Sequence, residues 1–264
     1  MANAKDRGGA GDPARTLELL WRDAGRETAG RGPKPRLSID AVVRAAIDIA
    51  DAEGLDAVTM RRVAQGLGVV PMTLYTYIPG KAELLDLMVD AAYRRMPRTE
   101  HPAGTPWRAR VEAVAHENRA LFRRHPWMTA LSVTRPPLGP GTMAKYEHEL
   151  GAFDGLGLDD VEMDAALTHL LAFVQSTART ALDKEAAARD SAMSDAEWWA
   201  ANAPLLARVF DPERYPLATR VGSAAGEAHQ AAYDPDHAYA FGLRCVLDGF
   251  AALVAERTHD RTGP

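Results

Sequence analysis

One spacing constrains this chain more than any other: a small residue at Ala64, a glycine four places on at Gly68, and an aliphatic six places further at Leu74. Two short helices can cross steeply around a tight turn only if the first carries a small residue where the second approaches. The turn itself favours a residue free to take positive φ, which glycine does without a Cβ clash. A buried aliphatic on the second helix then closes the small core. Thr59 supplies an N-cap ahead of Met60, Val63, Ala64 and Leu67, and Pro71 suits the first position of the following helix, which runs through Leu74 to about Tyr77. An arbitrary helical hairpin would not need three special positions in register between capped helices. The spacing therefore predicts a helix-turn-helix over 59–77.

The flanks agree. Ser38, with Asp40 in the first turn, opens a helix whose stripe is Ile39, Val42, Val43, Ala46, Ile47 and Ala50, and Gly54 ends it. After Pro79-Gly80 a longer helix is expected from Lys81 to about Met96, burying Leu84, Leu85, Met88 and Ala92. Upstream, residues 1–15 read as disordered. Thr16 to Ala24 reads as a short amphipathic helix capped by Thr16, and Gly25 to Arg36 as an extended segment. Beyond a linker at 97–106, helices are expected near 107–124, 126–133, 141–155, 159–185, 195–209 and 235–257, with a looser region from Asp211 to Gly226. Abundant Ala, Leu, Arg and Glu, and little strand-like alternation, make the whole chain all-α. The expected division is a flexible basic extension (1–37), a three-helix helix-turn-helix domain with its linking helix (38–96), and a larger helical ligand-binding and dimerisation domain (97–264).

Net charge is −5, which taken alone argues against a nucleic-acid binder, yet its distribution matters more than its total. Residues 1–96 hold 14 Lys and Arg against 13 Asp and Glu, so the acidity sits in the remainder. Arg26, Arg31, Lys34 and Arg36 face only Glu27. Such an arm either lies along a phosphate backbone or minor groove, or is a solvated tail. Cys245 is the sole cysteine, which excludes an intrachain disulfide and a cysteine metal cluster. No stretch is expected to approach a membrane span, and no signal-peptide pattern opens the sequence, so a cytoplasmic protein without membrane contact is expected. No Gly-rich phosphate loop, His-Glu-x-x-His or nucleophile elbow is present, so an enzyme is the weaker alternative, as is a pure protein-interaction domain.

The run GLDAVTMRRVAQGLGVVPMTLYTYIPGKAELLDLM (54–88) resembles the DNA-binding signature of the tetracycline-repressor family. The resemblance rests on the Gly-Leu opening, Thr-x-Arg-x-Val-Ala, Gly68-Val69, Thr73-Leu74-Tyr75 and Lys81 before a Leu-Leu pair. It implies a homodimeric, ligand-responsive regulator, most readily a repressor, on a palindromic double-stranded operator. Pro71, Met72, Thr73, Thr76 and Tyr77 would then face the major groove. Met72 or Thr73 could pack on a thymine methyl, and Thr73 could bond a base edge. Thr59, Arg61 and Lys81 would clamp phosphates, as would the hydroxyls of Tyr75 and Tyr77, although one of those rings is expected to be structural.

The C-terminal layout resembles the tetracycline-repressor branch itself, with Trp107 opening a helix, Arg119 within it and a Thr134-Arg135-Pro136 loop. The 159–185 and 235–257 helices would form a four-helix dimer interface. The departures are informative. Val114 stands where tetracycline-binding members carry Asn, Leu131 where they carry the magnesium-holding His, and Asn118 replaces a pocket aromatic. A metal–tetracycline complex is thus disfavoured, and no metal or cofactor is assigned. The candidate effector pocket comprises Asn118, Phe122, Trp127, Met128, Leu131, Thr134, Met143, His169, Phe173 and Ser176, and it suits a hydrophobic or amphipathic small molecule. His169 and Thr180 could equally face solvent or the dimer mate.

Overall fold

A computed structural model describes residues 12–23, 37–131 and 135–262, with side chains in the last helix as far as Arg257. The described residues are helical and turn, with no strand among them. The chain builds α1 (Pro13–Leu20), α2 (Ile39–Glu53), α3 (Met60–Gly66), α4 (Pro71–Tyr75), α5 (Lys81–Arg95), α6 (Trp107–Arg124), α7 (Pro140–Gly151), α8 (Asp160–Ser191), α9 (Asp195–Leu206), α10 (Pro216–His229) and α11 (Pro235–Thr262). Short 3₁₀ turns at Leu55–Ala57 and Pro126–Ala130 join α2 to α3 and follow α6.

The first helices form where their caps direct. The Ser38 hydroxyl accepts from the Ala41 amide, the Thr59 hydroxyl from the Arg62 amide, and Gly54 closes α2 at φ 86°. Val42, Val43, Ala46 and Ile47 of α2, Val63 and Ala64 of α3, Leu74 of α4 and Ile78 meet Leu84, Leu85 and Met88 of α5 in a sealed core. Helix α5 is buried nearly all round from Glu83 to Val89, because α1 and α2 cover one side and α7 covers another. A helix walled in this way loses the polar stripe of a surface helix, which explains its weak amphipathic pattern. In the rest of the chain, α6, α7, α8 and α11 pack around Val111, Phe153, Leu167, Leu170, Val174 and Leu243.

Several expectations are corrected. The first helix begins at Pro13, inside the segment read as disordered, and is capped by Asp12, whose carboxylate accepts from the Ala14 and Arg15 amides. Thr16 is therefore a buried interior residue of α1. Of the 126–133 segment, Pro126–Ala130 is a 3₁₀ turn rather than an α-helix, since Pro126 and the preceding His125 break the backbone ladder, and residues 132 and 133 lie outside the described residues. The region from Asp211 to Gly226 contains most of α10. Pro216 starts it, and its alanines favour helix through Gly222 and Gly226. Helix α8 runs to Ser191, six residues further than its apolar pattern. Finally, Pro235–Arg257 of α11 is long and apolar enough by composition to cross a membrane, contrary to the expectation that no segment approaches that length.

Candidate functional site

The helix-turn-helix has the geometry its spacing requires. Gly68 takes φ 67°, and the Val69 amide returns to the Ala64 carbonyl at 3.0 Å, closing the turn over a residue with no side-chain bulk. Leu74 is fully buried beneath α4, which leaves Val70, Pro71, Met72, Tyr75 and Thr76 on the outside; Met72 is 75% exposed. Thr73 and Tyr77 are half-buried, and Tyr77 packs on the core whereas Tyr75 stands out. Tyr77 is thus the structural ring of the pair. Arg61 is exposed beside Thr59, whose hydroxyl is already engaged as a cap. Lys81 is half-buried at the start of α5. Arg62, in contrast, is held by Glu53 at 2.5 Å, and that bond raises its pKa further. Arg31, Lys34 and Arg36 lie outside the described residues.

Two carboxylates fasten this head to the helices behind it. Asp51, near the end of α2, lies 2.8 Å from His125 Nδ1 and accepts from Trp127 Nε1 at 2.8 Å. Asp90, buried on α5, accepts from the Thr142 amide at 3.0 Å and from Arg94. It serves as the cap that Gly139 cannot give α7. A Cβ at Gly141 would overlap the Asp90 carbonyl, so glycine there is a condition of the α5–α7 crossing. Helix α1 adds a strap: Trp21 Nε1 donates to the Leu138 carbonyl at 2.8 Å, and Arg22 pairs with Asp40 on α2. None of these fastenings follows from local spacing. The one sequence signal was acidic residues at 86 and 90 within an otherwise apolar run.

The predicted effector residues scatter. Asn118 is buried and committed, donating to Glu149 Oε1 at 2.5 Å and to the Val114 carbonyl. Glu149 in turn accepts from Lys145 at 2.7 Å, and burial with Glu149 nearby pushes the Tyr93 phenol up to about 12. Phe122, Trp127 and Met128 are buried, with Trp127 turned to Asp51, and Leu131 is half-buried. Met143, His169 and Ser176 are exposed on this single chain, and Thr134 lies outside the described residues. Phe173 stacks on Tyr239, whose hydroxyl lies 3.0 Å from His116 Nδ1 beneath the Arg119 guanidinium. Burial raises the Tyr239 phenol to about 12.

A cleft of about 730 Å³ opens elsewhere, between the 97–106 linker and the facing surfaces of α6 and α7. Arg98 to Thr105 form one wall; Arg110, Val114, His148, Gly151 and Ala152 form the other. Glu117 anchors the linker, accepting from the Thr99 amide at 2.6 Å while its other oxygen lies 2.9 Å from His148 Nε2. No predicted effector residue lines this space, because a loop that folds back over two helices leaves no periodic mark in sequence.

The comparisons with known proteins agree on one family. Residues 42–88 match the model described as bacterial regulatory proteins, tetR family, and residues 99–254 match the tetracyclin repressor-like C-terminal domain. The chain is 44% identical over 97% of its length to the HTH-type transcriptional repressor DrrR1 of Streptomyces coeruleorubidus, 92% of which is covered. Among solved structures it is similar to apo ActR from Streptomyces coelicolor, with TM-score 0.68 and 26% identity over 84% of this chain and 98% of that one. ActR in complex with actinorhodin is equally similar, with TM-score 0.68 and 26% identity over 84% and 97% of the two chains.

Proposed function

Since the chain belongs to the tetR family of bacterial regulatory proteins, we propose that it is a ligand-responsive transcriptional repressor that leaves a palindromic operator when a small molecule binds behind its reading head. The observation that carries this reading is α5. One helix is shared by the head's core, through Leu84, Leu85 and Met88, and by α7, through the Asp90 cap. A change of shape around α6 and α7 is therefore passed to α4 by a rigid lever. The ligand shifts operator affinity by its differential affinity for the two arrangements. A solved complex of the similar ActR with actinorhodin supports a small-molecule effector, and the cleft beneath the 97–106 linker is of a size for one.

In this reading Met72, Thr73, Thr76 and Tyr77 meet the major groove beside Pro71, with Thr59, Arg61, Tyr75 and Lys81 on phosphates. A symmetric dimer sets the half-site spacing. The exposed apolar surface supports a second copy. Phe241 of α11 is 52% exposed, and Trp198, Trp199, Leu205, Leu206 and Val209 stand open along and just beyond α9. The apolar side of α11 then meets a partner chain, and a cytoplasmic location follows from the regulatory role. Footprinting on the source genome identifies the operator. On that duplex the wild-type chain should bind with a steep inverse salt dependence, and Arg61→Ala should make the slope shallower by about one unit per lost phosphate contact. Binding that ignores salt and Arg61 would refute the reading.

A further inference from the structure

Helix α4 breaks two local rules at its exposed end. Val70 occupies the N-cap of α4 with no side-chain hydrogen bond to the helix, whereas Ser38 and Thr59 cap α2 and α3 with their hydroxyls. Valine is among the least favoured residues at that position, because it has no oxygen to accept from the free amides of the first turn. A helix of five residues has few other bonds to offset the loss. Val70 is also 66% exposed, and Met72, two places on, is more open still. Both are large apolar side chains left in water beside a sealed core. Such departures from local preference collect where a surface serves a ligand. Residues 69–80 carry no charged side chain and no Asn or Gln, so α4 has no bidentate reader of a base edge. The hydroxyls of Thr73, Tyr75 and Thr76 lie further along, and Thr73 is half-buried.

The major groove offers such side chains one apolar group on its base edges, the C5 methyl of thymine. We propose that Val70 and Met72 form an apolar reading pair, each packing on a thymine methyl, so that the operator half-site is recognised by methyl groups more than by hydrogen bonds. The inference rests on the reading of α4 as the helix that enters the major groove, and it adds Val70, one place ahead of the residues expected there. The first residues of a recognition helix are the ones that reach base edges. Two residues of chain span at most about 7 Å and base pairs stack about 3.4 Å apart, so the two methyls belong to base pairs within about three steps of each other. Exchanging Val70 for serine would give α4 its cap and remove the reader. Stability and recognition should then move in opposite directions.

The test uses the full-length chain and the footprinted operator duplex, with the thymines of each half-site replaced position by position with uracil. Uracil keeps the pairing and the O4 acceptor and lacks only the methyl. Fluorescence anisotropy should find positions in each half-site where the replacement lowers affinity, by about four-fold for each methyl lost, the worth of a buried methylene. At one such position Val70→Ser should abolish the uracil effect, and at another Met72→Ala should do so, as expected of groups in direct contact. Val70→Ser should also melt about 2–4 °C above the wild type. Salt-dependent operator binding that is unchanged with uracil at every thymine would overturn the methyl reading and leave DNA binding standing. Uracil effects that persist undiminished in both variants would overturn the assignment to Val70 and Met72. A lower melting temperature for Val70→Ser would make Val70 a packing residue and overturn its part in the pair. A wild-type chain with no preference for the operator over a scrambled duplex would overturn both readings.

Discussion

The reading head and the α9–α10 excursion use apolar residues in opposite ways. From α2 to α5 most large aliphatics of the stripes are sealed inside, with Ile39 and Leu67 half-buried at the edge, and the exposed large apolar side chains, Val70, Met72 and Tyr75, lie on and just before α4. Along α9 and α10 no residue is buried, and two stacked tryptophans, Leu205, Leu206, Leu217 and Val221 are left in the open. The head closes on itself, whereas the apolar side chains of the excursion are left uncovered by the described residues. An exposed apolar patch of that extent ordinarily marks an interaction site. The same contrast separates the two kinds of function proposed here: a rigid surface that reads DNA and an adaptable one that meets a partner.

The comparison can be broken first in the head. Leu74→Ala removes a fully buried side chain from the smallest part of the core and should cost about 2–5 kcal/mol of stability in denaturant titration. A loss below that range would mean that α4 is less firmly seated than its burial indicates. Alkaline titration sharpens the same point at the joint. Tyr93 in the folded chain titrates near 12, above the ordinary phenol value of about 10. The unfolded chain therefore loses this proton first as pH rises. The stabilisation is complete below pH 10 and should fall by roughly 3 kcal/mol as pH climbs to 12. Tyr93→Phe should flatten that decline, measured as the change of melting temperature across the window.

Cutting the Asp90 cap comes next. Asp90→Ala strands the Thr142 amide and should cost about 1–3 kcal/mol, while Asp90→Asn, which keeps an acceptor, should recover part of it. If α5 is the lever, Asp90→Ala should also weaken the effect of any effector on operator affinity. The excursion should respond least in stability. Trp198→Ala with Trp199→Ala should alter the melting of the isolated fold by no more than about 0.5 kcal/mol, as for open surface sites. It should nevertheless shift sedimentation toward monomer. Unchanged sedimentation would leave the exposed apolar run without the partner proposed for it.

What was legible in sequence follows the same division. The head could be read almost residue by residue because local rules govern it: caps at Ser38 and Thr59, positive φ at Gly68, proline at position 71, and period-3.6 stripes. The long helices α6, α8 and α11 were legible for the same reason. The fastenings were not, since Asp51 with His125 and Trp127, and Asp90 with Thr142, join positions 52 to 76 residues apart. The Pro13 start of α1 was hidden because its cap, Asp12, sits among glycines that suggest disorder. The cleft leaves no periodic mark in sequence, because its walls include a polar linker and two arginines that bond to helix ends. Asn118 and Trp127, expected in the pocket lining, also make structural bonds to Glu149 and Asp51 that no local spacing announces.

The central claim is that the exposed face of α4 reads a specific DNA sequence. The most direct measurement is fluorescence anisotropy of the footprinted operator duplex, set against a scrambled duplex at the same salt. It would compare the wild-type chain with a Met72→Ala, Thr73→Ala double variant shown by circular dichroism to be folded. The account predicts that the variant's preference for the operator collapses by about ten-fold or more, while binding to scrambled DNA is little changed, because phosphate contacts carry that component. An operator preference equal to that of the wild type would contradict it.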